Sequence, residues 1–111
     1  MSEFIISGKK LQDLIVPPRY RELVNVKEPI KGTMVVEGTL VYFLPCEFNE
    51  TFFTTAIESE IKKKKVFYSN QFNKVFKLDP NYEYRIVLEE GSMTIYFNKG
   101  RLLFDLVGIL L

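Results

Sequence analysis

The chain has 111 residues, 47% of them apolar, and 15 basic against 14 acidic side chains give a net charge of +1. Ten Phe and six Tyr stand beside no His, no Trp and a single Cys. That inventory excludes Ser-His and Cys-His catalysis, His-liganded metal sites, an internal disulfide and multi-cysteine zinc sites, and the balanced charge gives no global pull toward nucleic acid or anionic lipid.

The length suits one domain spanning residues 1–111. At this size roughly two thirds of the unfolded surface is hidden, so a core forms without staples. Phe4, Ile5 and Ile6 make an apolar run shorter than the about 7–15 residues of a signal peptide. The longest uncharged stretch, Gly38 to Cys46, is far below the about 20 residues of a spanning helix. The expectation is a soluble, cytoplasmic protein, and the lone Cys46 fits a reducing compartment. Val, Ile, Phe, Tyr and Thr contribute 41 residues while Ala56 is the only alanine, a composition that favours sheet over helix. Low Ala, abundant Lys, Ile and Tyr and no His resemble chains from AT-rich genomes, those of viruses and thermophilic archaea among them.

In chain order, Leu11, Leu14 and Ile15 predict a short helix stopped by Pro17-Pro18, with Tyr20, Leu23 and Val24 in a further turn. Thr33 to Leu44 reads as extended, and Gly38 makes it either a tight hairpin or one bulged strand. Asn49 then stands as a helix cap, Phe48 and Phe53 are spaced as a hydrophobic staple, and Phe52, Phe53, Ala56, Ile57 and Ile61 form an apolar stripe. This spacing predicts the main helix over about 50–64. The Asp79-Pro80-Asn81 turn follows Phe76 and Leu78. Beyond it the period changes to two: Tyr84, Ile86 and Leu88, then Met93, Ile95 and Phe97, then Leu102, Phe104 and Leu106. Pairing Leu88 with Met93, Ile86 with Ile95 and Tyr84 with Phe97, then Phe97 with Leu102, Ile95 with Phe104 and Met93 with Leu106, keeps one apolar face. A one-residue slip scatters it.

These elements predict an α+β fold, one main helix packed on an antiparallel sheet with a C-terminal meander and a short N-terminal helical segment. The order helix, two strands, helix, then three or more strands is similar to that of roadblock and longin-type domains, a likeness of topology without a shared residue motif. Phe52, Phe53, Phe76, Tyr84, Phe97 and Phe104 are assigned to the core between helix and sheet.

Two surfaces stand out. Residues 62–77 carry six positive charges and no negative one, interleaved with aromatic rings. Lys62, Lys63, Lys64, Lys65, Lys74 and Lys77 with Phe67, Tyr68 and Phe72 have the pattern of a single-stranded nucleic-acid grip, cations on phosphates and rings on bases. Equally, lysines at a helix end complement its dipole, and alternating rings belong to a sheet core. The second surface is the C-terminal run Leu102–Leu111, eight apolar residues in ten. Leu103 and Val107 turn away from the helix side, near Tyr96 and Val87, leaving an apolar outer face or edge strand. Two readings that are compatible with each other follow: the N-terminal segment (Leu11, Leu14, Ile15, Tyr20, Leu23) folds back over it, and Tyr96, Leu103, Val107, Ile109 and Leu111 form a subunit or partner interface.

Catalysis finds little footing. Cys46 lacks a histidine base and a resolving cysteine, and Glu47 beside it disfavours the thiolate. The carboxylates are scattered, no Gly-x-Gly phosphate loop occurs, and no cofactor or metal is expected. The sequence therefore predicts a non-catalytic binding or assembly module, a homo-oligomer or protein-binding unit, with single-stranded nucleic-acid binding as the alternative.

Overall fold

A computed structural model describes residues 2–46, 54–56, 58–59 and 63–111, with 54–56 and 58–59 as backbone only. Strand β1 (Ser2–Ser7) runs straight into helix α1 (Gly8–Ile15), and β2 (Gly32–Glu37) and β3 (Leu40–Pro45) form a hairpin. Short strands β4 (Thr54–Ala56) and β5 (Glu58–Ser59) precede β6 (Lys65–Ser69), and β7 (Glu83–Glu89), β8 (Ser92–Phe97) and β9 (Leu102–Leu110) complete the chain. A 3-10 turn, Pro18–Tyr20, and a 3-10 helix, Phe72–Lys77, lie in the connections. The strands form one antiparallel sheet in the order β4-β3-β2-β6-β9-β8-β7-β1-β5.

Residue 57 alone separates β4 from β5 in sequence, yet they occupy opposite ends of that order. Two residues of chain span at most about 7 Å. The sheet must therefore curl into a half-barrel until β3 and β1 flank the same short stretch.

This overturns the α+β expectation. Residues 54–56 pair with Leu40–Tyr42 of β3, and residues 58 and 59 pair with Ile5 and Phe4 of β1, where the main helix was expected. The fold is mainly antiparallel β, and the likeness to roadblock and longin-type topology falls with the helix. Asn49, the Phe48–Phe53 staple, Phe52 and Ile61 lie outside the described residues. The physical reason is competition for backbone partners. Thr54 and Thr55 are β-branched and favour extended backbone, and the edges of β3 and β1 offer ladder bonds to both halves of the segment.

What helix there is follows its local signals. Ser7 Oγ accepts the Lys10 amide at 3.1 Å to cap α1, Lys9 Nζ pairs with Asp13 at 2.8 Å one turn on, and Pro17 stops the helix after Val16. Leu11, Leu14 and Ile15 are buried in the concave face with Phe72, Val75 and Leu78 of the 3-10 segment. Buried Gln12 ties the two together, its Nε2 donating to Val75 O at 3.1 Å and to Leu78 O at 2.9 Å. Arg21 fastens the following loop to α1, donating to Val16 O at 3.1 Å and to Asp13 Oδ1 at 2.6 Å. Strand β1, with Phe4 and Ile6 inside, has only a short alternation in the sequence and was not anticipated.

Gly38 resolves as a hairpin. Glu37 pairs with Leu40 across Gly38-Thr39, and Gly38 takes φ +61° while Thr39 stays at negative φ, as a type II′ turn requires. In the meander, Tyr84 pairs with Phe97, Ile86 with Ile95 and Leu88 with Met93, as the alternation requires. Ile95–Phe104 and Met93–Leu106 hold as well. Leu102 does not pair with Phe97: a bulge between Ile95 and Tyr96 sets it opposite Tyr96. Phe76, ahead of the meander, is in the 3-10 helix and partly buried against the core, and Leu78 after it is buried. At the Asp79 turn, Asn81 N–H donates to Asp79 Oδ1 at 2.8 Å, and Asp79 N–H donates to the hydroxyl of buried Tyr84 at 2.9 Å. Tyr84→Phe is expected to cost about 1 kcal/mol, seen as a lower urea midpoint at unchanged slope.

Candidate interaction surface

Strand β9 lies between β6 and β8, so it is an interior strand of the sheet and not an edge. Leu106 is buried on the concave side, with Phe104 and Leu110 partly buried beside it. The alternate residues Val107 and Ile109 therefore point outward, 58% and 57% exposed, and Leu111 beyond them is 75% exposed. The N-terminal segment does not cover them: α1 is packed into the concave face, and Leu23 is itself 81% exposed.

Strand pairing places further residues beside Ile109 and Leu111. Ile109 is opposite Tyr68, Tyr68 opposite Thr33, and Thr33 opposite Leu44, a row crossing β9, β6, β2 and β3. The Leu111 amide bonds Val66 O at 2.7 Å, Val66 is opposite Val35, and Val35 opposite Tyr42, which makes a second row. Neither row contains a charged side chain. Val35 is buried although it faces outward, because Val66 and Tyr42 flank it on both sides.

The outer face of β1, β7 and β8 has the opposite character. Glu3, Glu83, Arg85 and Glu89 lie there, and Arg85 both donates to Glu3 Oε2 at 3.1 Å and stacks over the Tyr96 ring at 4.2 Å. Tyr96 thus already has a partner within the chain. Of the five expected interface residues, the fold brings Ile109 and Leu111 to the uncharged rows, with Val107 beside them on the same outward face. Leu103 sits at the bulge end of β9, about 20 Å along the strand from Ile109. Tyr96 belongs to the charged side.

The basic and aromatic segment is divided. Phe67 and Phe72 are 0% exposed and sit edge-on at 6.2 Å in the core, with Phe43 at 4.9 Å from Phe72, so neither ring offers a face to a base. Tyr68 points outward into the uncharged row. Lys63 and Lys64 are exposed and Lys65 half-buried at one end of β6. Lys74 and Lys77 lie on the 3-10 helix beyond its other end, about 16 Å away along a five-residue strand. Lys62 is outside the described residues.

Lys74 has a structural task. Where β6 ends, side chains continue its ladder along β9: Ser69 Oγ donates to Val107 O at 2.7 Å, Gln71 Oε1 accepts the Val107 amide at 2.9 Å, and Lys74 Nζ donates to Asp105 O at 3.2 Å. Cys46 is exposed and unpaired. Among the described residues no three His, Cys, Asp or Glu side chains are grouped as metal ligands.

Alternation in residues 33–44 did not reveal the two rows, because both parities are rich in apolar residues. Only the curl decides which parity is inside. Comparison with protein-family models, with curated proteins and with solved structures gives no match. Among the described residues no helix is long and apolar enough to cross a membrane.

Proposed function

We propose that this protein is a non-catalytic assembly module that self-associates through the outer face of β9 and the neighbouring strands β6, β2 and β3. The observation that carries the reading is the pair of uncharged rows with Ile109 and Leu111 exposed at their β9 end and Val107 exposed beside them. Contiguous apolar surface on a sheet costs solubility unless something covers it, and tyrosine at the centre of such a patch is a frequent anchor in interfaces. A near-neutral chain adds little long-range repulsion between copies. The exposed, unpaired Cys46 suits a reducing, cytoplasmic setting.

Single-stranded nucleic-acid binding has less support. Two of its three stacking rings are in the core, and its lysines lie at opposite ends of β6. Sedimentation at micromolar concentration is expected to give a mass above that of one chain. Ile109→Glu should return it to a monomer, whereas Thr94→Glu on the charged face should leave it unchanged. A wild-type monomer at every concentration would sink this reading.

A further inference from the structure

We infer that Gln71 and Lys74 guard a latent strand-pairing edge on β9, so that a second copy cannot add its own β9 alongside Leu102–Val107 while they are in place. Interior as β9 is in the sheet, β6 accompanies it only over Gly108–Leu110. From Leu102 to Val107 its strand partner among the described residues is β8 alone. In an antiparallel strand both backbone groups of a residue point to one side, and alternate residues point to opposite sides. Val107 turns its N–H and C=O toward the side that β6 has left, and Asp105 turns its C=O the same way. Left bare, such a row is a template for another strand.

Side chains stand where that strand would lie. Gln71 Oε1 accepts the Val107 amide at 2.9 Å, and Lys74 Nζ donates to Asp105 O at 3.2 Å. Two periods match to make this possible. Gln71 stands at the N-cap of the 3-10 helix, so Gln71, Lys74 and Lys77 recur once per turn, about 6 Å apart, against about 6.8 Å for two residues of β9. With Gln71 at Val107 and Lys74 at Asp105, the same step brings Lys77 level with Leu103. Leu103 is the extra residue of the bulge, since Phe104 pairs with Ile95 and Leu102 with Tyr96. Bulges, edge lysines and covering helices each blunt a strand edge, and all three fall on this half of β9.

The lysines identify a second copy as the partner kept out. An incoming β9 would bring its own Lys74 and Lys77 to the same edge, and neither residue has a carboxylate partner among the described residues. Like charges set together exclude a contact that exposed Leu102 and Leu103 would otherwise favour.

An Ile109→Glu background silences the outer face and keeps the outcome separate from that of the assembly reading. In it, Gln71→Ala with Lys74→Ala is expected to retain the circular dichroism of the fold. Sedimentation velocity at micromolar concentration should show a gain of multi-chain species relative to Ile109→Glu alone. Gln71→Glu with Lys74→Arg keeps an acceptor for the Val107 amide and a donor for Asp105 O, and should show no such gain. Tyr84→Phe, which weakens the fold at the Asp79 turn, should show none either. A folded Gln71→Ala, Lys74→Ala protein that sediments as Ile109→Glu alone does would overturn the inference. So would an equal gain in the conservative pair, or in Tyr84→Phe, which would trace the association to partial unfolding and not to a bared edge. If the double alanine variant loses its fold, Lys74→Ala alone, which leaves the Asp105 carbonyl to water, is judged by the same outcomes.

Discussion

Gly108→Val is expected to leave no cooperatively folded protein under conditions where the wild type is native. Gly108 faces Ser69 across the β6–β9 pair, with its Cα turned to the concave side. A Cβ built there overlaps the Tyr68 carbonyl oxygen and comes within 2.9 Å of Phe67 Cε2. Neither neighbour can retreat. The Tyr68 carbonyl belongs to the strand, and Phe67 is locked edge-on against Phe72. Separating the strands would also break the Ser69 and Gln71 bonds to Val107. Overpacking of this kind costs about 3 kcal/mol or more, a large part of the about 5–15 kcal/mol available to a small domain. Gly108→Ala should already lower the urea midpoint clearly. A Gly108→Val protein melting within a few degrees of wild type would show that β6 and β9 do not approach as closely as described.

Phe72→Ala should destabilise by about 3–5 kcal/mol, because a fully buried ring is removed and its neighbours cannot collapse into the space. Phe72 fills the gap between Phe43 and Phe67, and its amide is held by Ile30 O at 3.2 Å. The measurement also decides between two roles for this ring. A ring waiting on the surface for a base would change stability by no more than about 0.5 kcal/mol when truncated. Urea denaturation followed by tyrosine fluorescence gives the answer, with the midpoint moving and the slope unchanged if the change is one of packing.

The parts of this fold that were legible in the sequence are those set by neighbours a few residues away. The register of β7 and β8 follows from alternation across a two-residue turn, where a slip would put Ile86 and Ile95 in water. Helix α1 follows from the spacing of Leu11, Leu14 and Ile15 and from Pro17, and the structure adds the Ser7 cap at its start. The Asp79 turn follows from the side chain that bonds its own backbone two residues on.

Residues 54–56 and 58–59 form strands where the sequence predicts the main helix. The segment's apolar spacing admits a helix, and its β-branched residues admit a strand. The choice fell to the unpaired edges of β3 and β1, more than ten residues away in one direction and about fifty in the other. The bulge opposite Tyr96 is likewise absent from any pattern of apolar residues, which is why Leu102 was expected one position off.

The working surface divides in the same way. Sequence alone determined that Val107, Ile109 and Leu111 share one face of their strand, opposite to that of Leu106 and Leu110; that the N-terminal segment leaves them uncovered was decided by the tertiary structure. The sequence also determined that no histidine-based chemistry is available. Only the tertiary structure decided that Phe67 and Phe72 are core and Tyr68 is surface, that the lysines of one run are parted by the length of β6, and that Thr33, Leu44, Val66 and Tyr42 extend the β9 patch into two rows. Those outcomes depend on which face of a curled sheet is concave. Curvature is a property of all the strands together, and no local period encodes it.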